Sequence, residues 1–331
     1  MLLAGDIGGT KTVLALFAER GQAFAREPLR EETFPSSSYS SLEAIIADFL
    51  GDATLQLNGA SFGVAGPVVQ GRARITNLPW VIEEKSIEAQ FGVPTTLLND
   101  LEAIANAVPH LHTADLFTLH HGQPSPTGAI AVIAPGTGLG EAYLVWVNGR
   151  YESFPSEGGH ASFAPTSPEQ LEVLAYLLTQ FNHVSYERIC SGMGIPTLYA
   201  ALRAVGRYPE PAWLRDRLDE ARDQTPIIFS AALQEEPVPL CRATLDMFIE
   251  ILGNEAANLA LKVLATGGIY IGGGIPPRIL PQLEAGRFLE LFQRKGRFSQ
   301  MMAKIPVHVI RNPKVALYGA AYEALRAVRS G

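Results

Sequence analysis

Two glycine-rich turns carry the residue types that bind phosphate groups. The first, 5–11, combines three glycines with the Asp6 carboxylate, the Thr10 hydroxyl and the Lys11 ammonium. Glycines let the backbone approach a ligand and point N–H groups at an anion, and a carboxylate at a strand end can orient water on a metal ion. The second, 136–138, reads Gly-Thr-Gly. Both suit nucleotide phosphates with magnesium, and a tight hairpin is the alternative for each.

A third segment, 272–274, consists of three glycines after an apolar run, where a nucleoside base or ribose could lie flat against the backbone. A flexible loop between a strand and a helix is the alternative. Two familiar nucleotide motifs are excluded. A dinucleotide fingerprint would need glycine at Glu141 and a helix after it, and a Walker-type loop would need Gly-Lys-Ser/Thr, which is missing.

The pair Asn99-Asp100 follows an apolar run at the end of a predicted strand, where α/β sheets place their ligands. An aspartate there could accept a proton from an attacking hydroxyl as a general base. Asn99 followed by Glu102 also resembles a capping box for the next helix. On the residues alone, catalysis and capping are equally good interpretations.

Two further segments carry groups that could bind sugar hydroxyls. Glu157 and His160 belong to a Glu-Gly-Gly-His stretch, in which the carboxylate accepts and the imidazole donates or accepts hydrogen bonds. A solvated loop is the alternative. Glu187, taken alone, is interpreted as a charge on the surface of a helix.

Apolar runs of strand length alternate with helical patterns, which favours an α/β architecture. Strands predicted at 2–4 and 13–17 flank the first turn, and strands at 129–134 and 142–147 flank the second, so one pattern occurs twice. The segment 203–237 is charged and interrupted by prolines, which predicts a surface position. Further strands are predicted at 60–64, 95–98 and 265–271, and helices at 41–50, 101–108, 167–181, 245–264 and 314–328.

Composition excludes several classes of protein. The chain has 26 Lys and Arg against 33 Asp and Glu, a formal charge of -7 and no basic run, so we expect no nucleic-acid or anionic-membrane partner. Cys190 and Cys241 cannot build a disulfide framework or a zinc site of four thiolates. No apolar stretch is long enough for a membrane span, and no secretory leader is recognisable, so we expect a cytoplasmic protein.

Several segments, taken in order, resemble the bacterial ATP-dependent glucokinase family of the hexokinase/actin-like ATPase superfamily. The resemblance covers essentially the whole chain, and the ordered set is far more specific than any one motif. The segments are Gly5-Asp6-Ile7-Gly8-Gly9-Thr10, Asn77-Leu78-Pro79-Trp80, Leu98-Asn99-Asp100, Ser156-Glu157-Gly158-Gly159-His160 and Tyr186-Glu187-Arg188-Ile189-Cys190-Ser191-Gly192.

The resemblance implies a two-domain actin-like ATPase fold, of the hexokinase and ribonuclease H-like type. A cleft would separate a small α/β domain, 1–109 with 312–331, from a larger α+β domain, 110–311. The implied activity is ATP-dependent phosphorylation of glucose at its 6-hydroxyl (EC 2.7.1.2), the first step of glycolysis, in a homodimer. A kinase for another hexose, such as mannose or glucosamine, and a catalytically silent sugar sensor are the alternatives.

The same resemblance implies roles for individual residues. Asp100 would be the general base, and Asp6 would reach the ATP magnesium through water. The sugar would be bound by Asn99, Asp100, Glu157, His160 and Glu187. ATP would be bound by Gly5, Asp6, Ile7, Gly8, Gly9, Thr10, Lys11, Gly136, Thr137, Gly138, Gly273 and Gly274.

Two departures from related patterns matter. Lys11 stands where many members have Asn, so its phosphate contact is inferred from charge. The zinc-binding cysteine stretch of the related repressor/kinase (ROK) family is missing, and we therefore expect no structural zinc. No DNA-binding segment precedes Gly5, which argues against a sugar-responsive repressor.

Overall fold

A computed structural model describes residues 1–21, 23–51, 55–75 and 78–330. The chain divides into two compact units, each built from separate stretches of sequence. Unit one consists of Met1–Leu116, Ala142–Pro155 and Asn312–Gly331, and unit two of Phe117–Glu141 and Ser156–Arg311. The domain ranges that the resemblance implies, 1–109 with 312–331 and 110–311, stay a prediction.

The described residues form sixteen strands and twelve α-helices. The strands are β1 (Leu2–Ile7), β2 (Lys11–Phe17), β3 (Glu19–Arg20), β4 (Ala23–Phe24), β5 (Arg30–Pro35), β6 (Gly59–Val64), β7 (Val68–Val69), β8 (Arg72–Arg74), β9 (Val81–Glu83), β10 (Thr95–Asn99), β11 (Leu116–His120), β12 (Ile130–Pro135), β13 (Leu139–Val147), β14 (Arg150–Ser156), β15 (Gly268–Ile271) and β16 (Val307–Ile310). The helices are α1 (Leu42–Leu50), α2 (Glu84–Phe91), α3 (Asp100–Ala107), α4 (Pro168–Leu177), α5 (Gly194–Val205), α6 (Ala212–Asp219), α7 (Thr225–Ala232), α8 (Pro239–Val263), α9 (Leu280–Glu284), α10 (Arg287–Gln293), α11 (Ser299–Met302) and α12 (Val315–Ser330).

Unit one is built on a five-stranded sheet in the order β10-β6-β1-β2-β5. Strands β10, β6 and β1 are parallel, while β2 is antiparallel to both β1 and β5. All six residues of β6 are buried, as is typical of a parallel strand covered on both faces. Helix α12 packs close to this strand, since a Cβ on Gly59 would lie 2.7 Å from the Ala324 carbonyl oxygen.

Unit two contains the parallel strands β12, β15 and β16, with β11 beside β16. Its core is a single large apolar cluster in which α8 is the central helix. The sequence predicts this helix at 245–264, but it begins six residues earlier because Pro239 is preorganised for the first helical position. Sixteen of its 25 residues are buried.

Several predicted elements are confirmed. The Ser41 hydroxyl accepts from the Ala44 N–H at the start of α1, and the four apolar side chains of its predicted face are buried. Ser167 caps α4 in the same way, with Pro168 at the first position. The predicted surface position of 203–237 is confirmed, because most of its residues are exposed, and α6 and α7 bury only a few apolar side chains such as Leu214 and Ile228. In the part of the chain that the structure describes, no helix is long and apolar enough to span a membrane.

Candidate active site

The first half of the predicted site lies at one edge of the sheet of unit one. Because β1, β6 and β10 are parallel and in register, Ile7, Val64 and Asn99 lie side by side at the carboxyl ends of the three strands. The residues that follow them therefore emerge at the same edge. Neighbouring strands are ~4.8 Å apart, so the backbone at Ile7 and the backbone at Asn99 are separated by about 10 Å.

The turn after β1 is fixed by hydrogen bonds to Ser36, a residue that was not among the predicted site residues. The Ser36 hydroxyl donates to the Gly8 carbonyl at 2.8 Å, and the Ser36 N–H donates to the Thr10 carbonyl at 3.1 Å. Thr12 lies 3.0 Å from the same hydroxyl, and both side chains are buried. With its carbonyls held in this way, the turn exposes Thr10 and Lys11. Ser36 lies in a run of three serines, and no local signal distinguishes it from its neighbours.

Because the resemblance implies that this turn binds ATP, we expect Ser36→Ala to raise the KM for ATP about fivefold and to leave glucose affinity unchanged. The reason is that the turn loses a buried hydrogen bond, which is worth ~1 kcal/mol. Steady-state kinetics at saturating glucose measures the effect. Ser37→Ala is the matched control, because Ser37 belongs to the same short helical turn but is exposed. Equal KM values for the two variants would show that Ser36 does not hold the turn.

Asp6 is the half-buried carboxylate of this half-site. Burial raises the pKa of its carboxyl, and the nearby Lys11 ammonium opposes the shift. A partly desolvated carboxylate at a strand end is suited to hold a hydrated cation. Gly5 and Ile7 lie within β1 and are buried. A Cβ on Gly5 would lie 2.6 Å from Phe62, so this glycine serves close packing of the sheet.

Asn99 and Asp100 occupy the junction between β10 and α3. Asn99 is the N-cap of the helix: its carboxamide oxygen accepts from the Leu101 N–H at 2.9 Å, and its carboxamide nitrogen donates to the Gly66 carbonyl at 3.0 Å. The Glu102 carboxylate lies near the Asn99 backbone N–H. The capping interpretation is therefore confirmed for Asn99. Asp100 is the first residue of α3 and half-buried, and its carboxylate accepts from the Leu101 N–H at 2.9 Å.

The Asn77-Leu78-Pro79-Trp80 segment, which carries part of the family resemblance, is described only in part. Asn77 lies outside the described residues. Trp80 is a core residue of unit one, 3% exposed, and its indole N–H donates to the Tyr39 carbonyl at 3.3 Å.

The second half of the predicted site lies in unit two around the turn 136–138. The residues before α5 hold this turn: the Gly192 N–H donates to the Gly136 carbonyl at 2.8 Å, and the Met193 N–H donates to the Thr137 carbonyl at 3.1 Å. Thr137 itself is exposed. As at the first turn, the carbonyls are held by the protein while the hydroxyl faces outward.

Three of the predicted sugar-binding residues come together beside this turn. His160 Nδ1 lies 3.7 Å from Glu187 Oε1, and His160 Nε2 lies 3.8 Å from Glu157 Oε2. The Glu157 side chain is 79% exposed, whereas that of Glu187 is only 26% exposed. The three side chains present two carboxylates and an imidazole, an arrangement that can accept and donate several hydrogen bonds to a polyhydroxyl ligand.

Glu187 also corrects an interpretation made from the sequence. Taken alone it was interpreted as a charge on the surface of a helix, but it precedes α5 and joins the two parts of this half-site. Its Oε2 accepts from the Leu139 N–H at 3.0 Å, next to the turn, while its own N–H donates to the Gly159 carbonyl at 2.8 Å. A cavity of about 290 Å³ opens beside it, lined by His160, His183, Ser185, Glu187, Arg188, Ser191, Met193, Gly194 and Thr197.

The glycines after β15 reach the same turn. Gly273 has a φ of +84°, and a Cβ at this position would overlap the Pro135 carbonyl. The Gly272 N–H donates to the Ile133 carbonyl at 2.9 Å, which holds the segment along β12. Gly274 has nothing within 4 Å of its Cβ position and is exposed. The structure thus brings the second and third glycine segments together in unit two.

Comparison with known proteins gives one family. A family model described as glucokinase matches residues 3–327. The chain is 39% identical to the glucokinase of Nostoc punctiforme over 340 residues, which covers 98% of this chain and 99% of the relative. Among solved structures, a glucokinase from an Antarctic psychrotroph matches with a TM-score of 0.81 and 32% identity, over 98% of both chains.

A more distant structure shows the fold alone. The ROK family glucokinase of Streptomyces griseus, solved with glucose and AMPPNP, matches with a TM-score of 0.65 at 20% identity and covers 100% of this chain and 99% of its own. The actin-like kinase fold predicted from the sequence is confirmed. Because the family model and the Nostoc punctiforme relative each cover nearly the whole sequence, the chain belongs to the glucokinase family.

Proposed function

We propose that this protein is an ATP-dependent glucokinase that transfers the γ-phosphoryl group of ATP to the 6-hydroxyl of glucose, yielding glucose 6-phosphate and ADP. Membership of the glucokinase family supports the proposal. The structural observation that carries it is the group formed by Glu157, His160 and Glu187 beside the Gly136–Gly138 turn, since it pairs a polyhydroxyl-binding cluster with a phosphate-binding turn in one unit.

In this proposal several polar side chains bind the sugar hydroxyls. The carboxylates of Glu157 and Glu187 accept hydrogen bonds from hydroxyls, and the His160 imidazole donates or accepts. Asn99 contributes the hydrogen bonds that its carboxamide can still make while it caps α3. Glu187 holds the Leu139 N–H with one carboxylate oxygen and lies near His160 with the other, so it links sugar binding to the position of the phosphate turn.

ATP is bound by the exposed parts of the glycine turns. Thr10 and Lys11 supply a hydroxyl and a cation in unit one, and Thr137 supplies a hydroxyl in unit two. Gly273 and Gly274 provide a flat backbone surface beside the second turn, which suits the nucleoside. Backbone N–H groups at such turns favour anions because their dipoles converge on the ligand.

Magnesium would be held at Asp6 through water, and it would neutralise charge that develops on the transferring phosphate oxygens. Among the described residues no group of three or more His, Cys, Asp or Glu side chains could hold a metal ion. A single partly desolvated carboxylate fits magnesium, because this ion keeps several waters and takes its other ligands from phosphates.

Asp100 acts as the general base in the transfer. Its carboxylate takes the proton of the sugar 6-hydroxyl while the hydroxyl oxygen forms a bond to the γ-phosphorus. The bond from that phosphorus to the bridging oxygen breaks, and its electron pair leaves with ADP. The first turn of a helix favours negative charge, so the position of Asp100 in α3 supports the ionised form that a base requires.

A panel of hexoses, assayed by ADP release, tests the proposed function. We expect turnover with glucose above that with mannose or glucosamine, because hydroxyl-binding groups discriminate strongly against analogues that leave them unpaired. Turnover with another hexose alone would reassign the substrate. Protein that binds glucose and ATP without any turnover would instead be a sugar sensor.

We expect Glu157→Gln to raise the KM for glucose about tenfold and to leave the KM for ATP within about twofold. The charged carboxylate makes stronger hydrogen bonds to hydroxyls than a neutral amide does, by ~1–2 kcal/mol. Initial rates with each substrate varied in turn give both constants. Glu235→Gln, an exposed acid of the same unit, is the control. An equal rise in both KM values for Glu157→Gln would show that Glu157 does not bind the sugar specifically.

The family resemblance also supports a cytoplasmic homodimer, which we include in the proposal. Analytical ultracentrifugation at micromolar concentration tests the oligomeric state, and a single species of monomer mass would contradict it. We also propose the two domains that the resemblance implies, a small domain of 1–109 with 312–331 and a large domain of 110–311.

A further inference from the structure

Two carboxyl groups are buried against each other in unit two, beneath the Glu157–His160 loop. Glu141 lies on β13 and is 2% exposed, and Glu255 lies on α8 and is fully buried. The two side chains lie close enough for Glu255 to raise the pKa of Glu141. Two carboxylates cannot both stay ionised in such a place, so the pair holds a proton.

The neighbours decide which carboxyl carries the proton. Asn258 donates to Glu255 at 2.9 Å, the Lys262 ammonium lies 3.6 Å away, and the Tyr186 hydroxyl lies close by. For Glu141, the described residues offer no N–H or hydroxyl partner to either carboxyl oxygen. Glu141, which lacks such donors in the described part of the chain, is therefore the member of the pair that holds the proton. The titratable groups that face the pair are Tyr186 and Cys190 from the segment before α5, Lys262 on α8 and Lys295 after α10.

The Glu141 carboxyl directly supports the predicted sugar loop. A Cβ on Gly158 would overlap Glu141 Oε2, and it would lie 3.2 Å from the Ser156 hydroxyl. A Cβ on Gly159 would overlap the Leu139 carbonyl, two residues before Glu141 on the same strand. The two glycines of the Glu-Gly-Gly-His stretch are therefore the residues that let the loop lie flat on β13.

We propose that protonated Glu141 is a positioning residue that supports the loop carrying Glu157 and His160, and that its ionisation releases the loop and weakens glucose binding. The second part of this inference rests on the proposed function, because it takes glucose as the ligand of the loop. Ionised Glu141 would repel Glu255 inside an apolar region, and the movement that relieves this repulsion displaces Gly158, which lies against the carboxyl.

The pKa of Glu141 sets the direction of the pH effect. Burial is the larger cause that raises this pKa to about 8, Glu255 is the second cause, and Lys262 opposes the shift. Below this pH Glu141 is neutral and the loop is supported. Above it the neutral fraction falls tenfold per pH unit, and apparent affinity falls with the fraction of competent protein. We therefore expect glucose to bind about tenfold more weakly at pH 9 than at pH 7.

Glu141→Gln tests the inference, because the amide keeps the shape of the protonated acid and does not titrate. Calorimetry with glucose at pH 7 and pH 9 should show about a tenfold loss for the wild-type protein and less than a twofold loss for the variant. All other ionisable groups are common to both proteins, so their effects cancel in the comparison. An equal alkaline loss in the two proteins would overturn the inference.

A second measurement needs neither substrate nor variant. Pulsed hydrogen exchange of the backbone amides in 156–161, corrected for intrinsic rates, should lose protection between pH 7 and pH 9 while the amides of α8 do not. Unchanged protection of the loop would overturn the inference. Lost protection in a protein that does not bind glucose would support the role of Glu141 and contradict the proposed function, so the two failures are distinguishable.

The contact itself is tested by a double substitution. Gly158→Ala should weaken glucose binding about tenfold at pH 7, because the added methyl group displaces the loop from the Glu141 carboxyl. Adding Glu141→Ala removes the carboxyl that the methyl group overlaps and leaves space that the methyl group can fill, so it should restore most of the lost affinity. A double variant as weak as Gly158→Ala would show that the carboxyl does not support the loop.

Discussion

Asp100→Asn should lower kcat by ~10²–10⁴ and leave the Kd for glucose within about twofold, because removal of a general base costs that much in rate. The amide cannot take the proton of the 6-hydroxyl, but its oxygen can still accept from the Leu101 N–H, as the carboxylate does at 2.9 Å. Helix α3 therefore keeps its first turn. ADP release at saturating substrates gives kcat, and calorimetry with glucose gives the Kd.

The control for this substitution is Glu43→Gln. Glu43 is also an acid in the first turn of a capped helix of unit one, so it tests whether losing a carboxylate at a helix start is enough to impair the enzyme. We expect it to keep full turnover. A kcat near the wild-type value in Asp100→Asn would remove the base assignment, and a loss of glucose affinity as large as the loss of kcat would make Asp100 a binding residue instead.

The parts of the fold that sequence could predict are those set by local chemistry. Ser41 before an apolar periodicity predicts the start of α1, and the structure places its hydroxyl on the Ala44 N–H. The alternation of apolar runs and glycine turns predicts both strand-turn-strand units. Asn148-Gly149 predicts a tight turn, and both residues have a positive φ between β13 and β14. In each case the residues that decide the structure are neighbours in the chain.

The parts that sequence could not predict depend on contacts between distant segments. Ser36 holds the Gly8 turn from a different strand connection, and Glu187 reaches Leu139 across unit two. In the sequence Glu141 is notable only because it occupies the position where a dinucleotide fingerprint would need its third glycine. Its partner Glu255 lies on a helix that looks amphipathic in the sequence but is mostly buried. Burial and pairing give these side chains their chemistry, and neither is encoded locally.

Gly273→Ala should have the largest effect of any single methyl group added to the proposed ATP half-site of unit two. A φ of +84° is strained for any L side chain, and the added Cβ would overlap the Pro135 carbonyl. Pro135 immediately precedes the Gly136 turn, so relief of the overlap would displace both glycine segments. We expect the free energy of unfolding to fall by about 2 kcal/mol or more. Affinity for ATP should fall by about tenfold to a hundredfold, which corresponds to ~1.4–2.8 kcal/mol.

Gly274→Ala separates backbone strain from ligand contact, because Gly274 has open space around its Cβ position. We expect this variant to unfold at the wild-type temperature. If the nucleoside lies on this backbone, its methyl group should weaken ATP binding without any loss of stability, whereas Gly273→Ala should lose both. Thermal unfolding and calorimetry with ATP distinguish these outcomes. A Gly273→Ala protein as stable as Gly274→Ala would mean that the chain adapts to a side chain at position 273, and the close approach to Pro135 would then not be what requires glycine there.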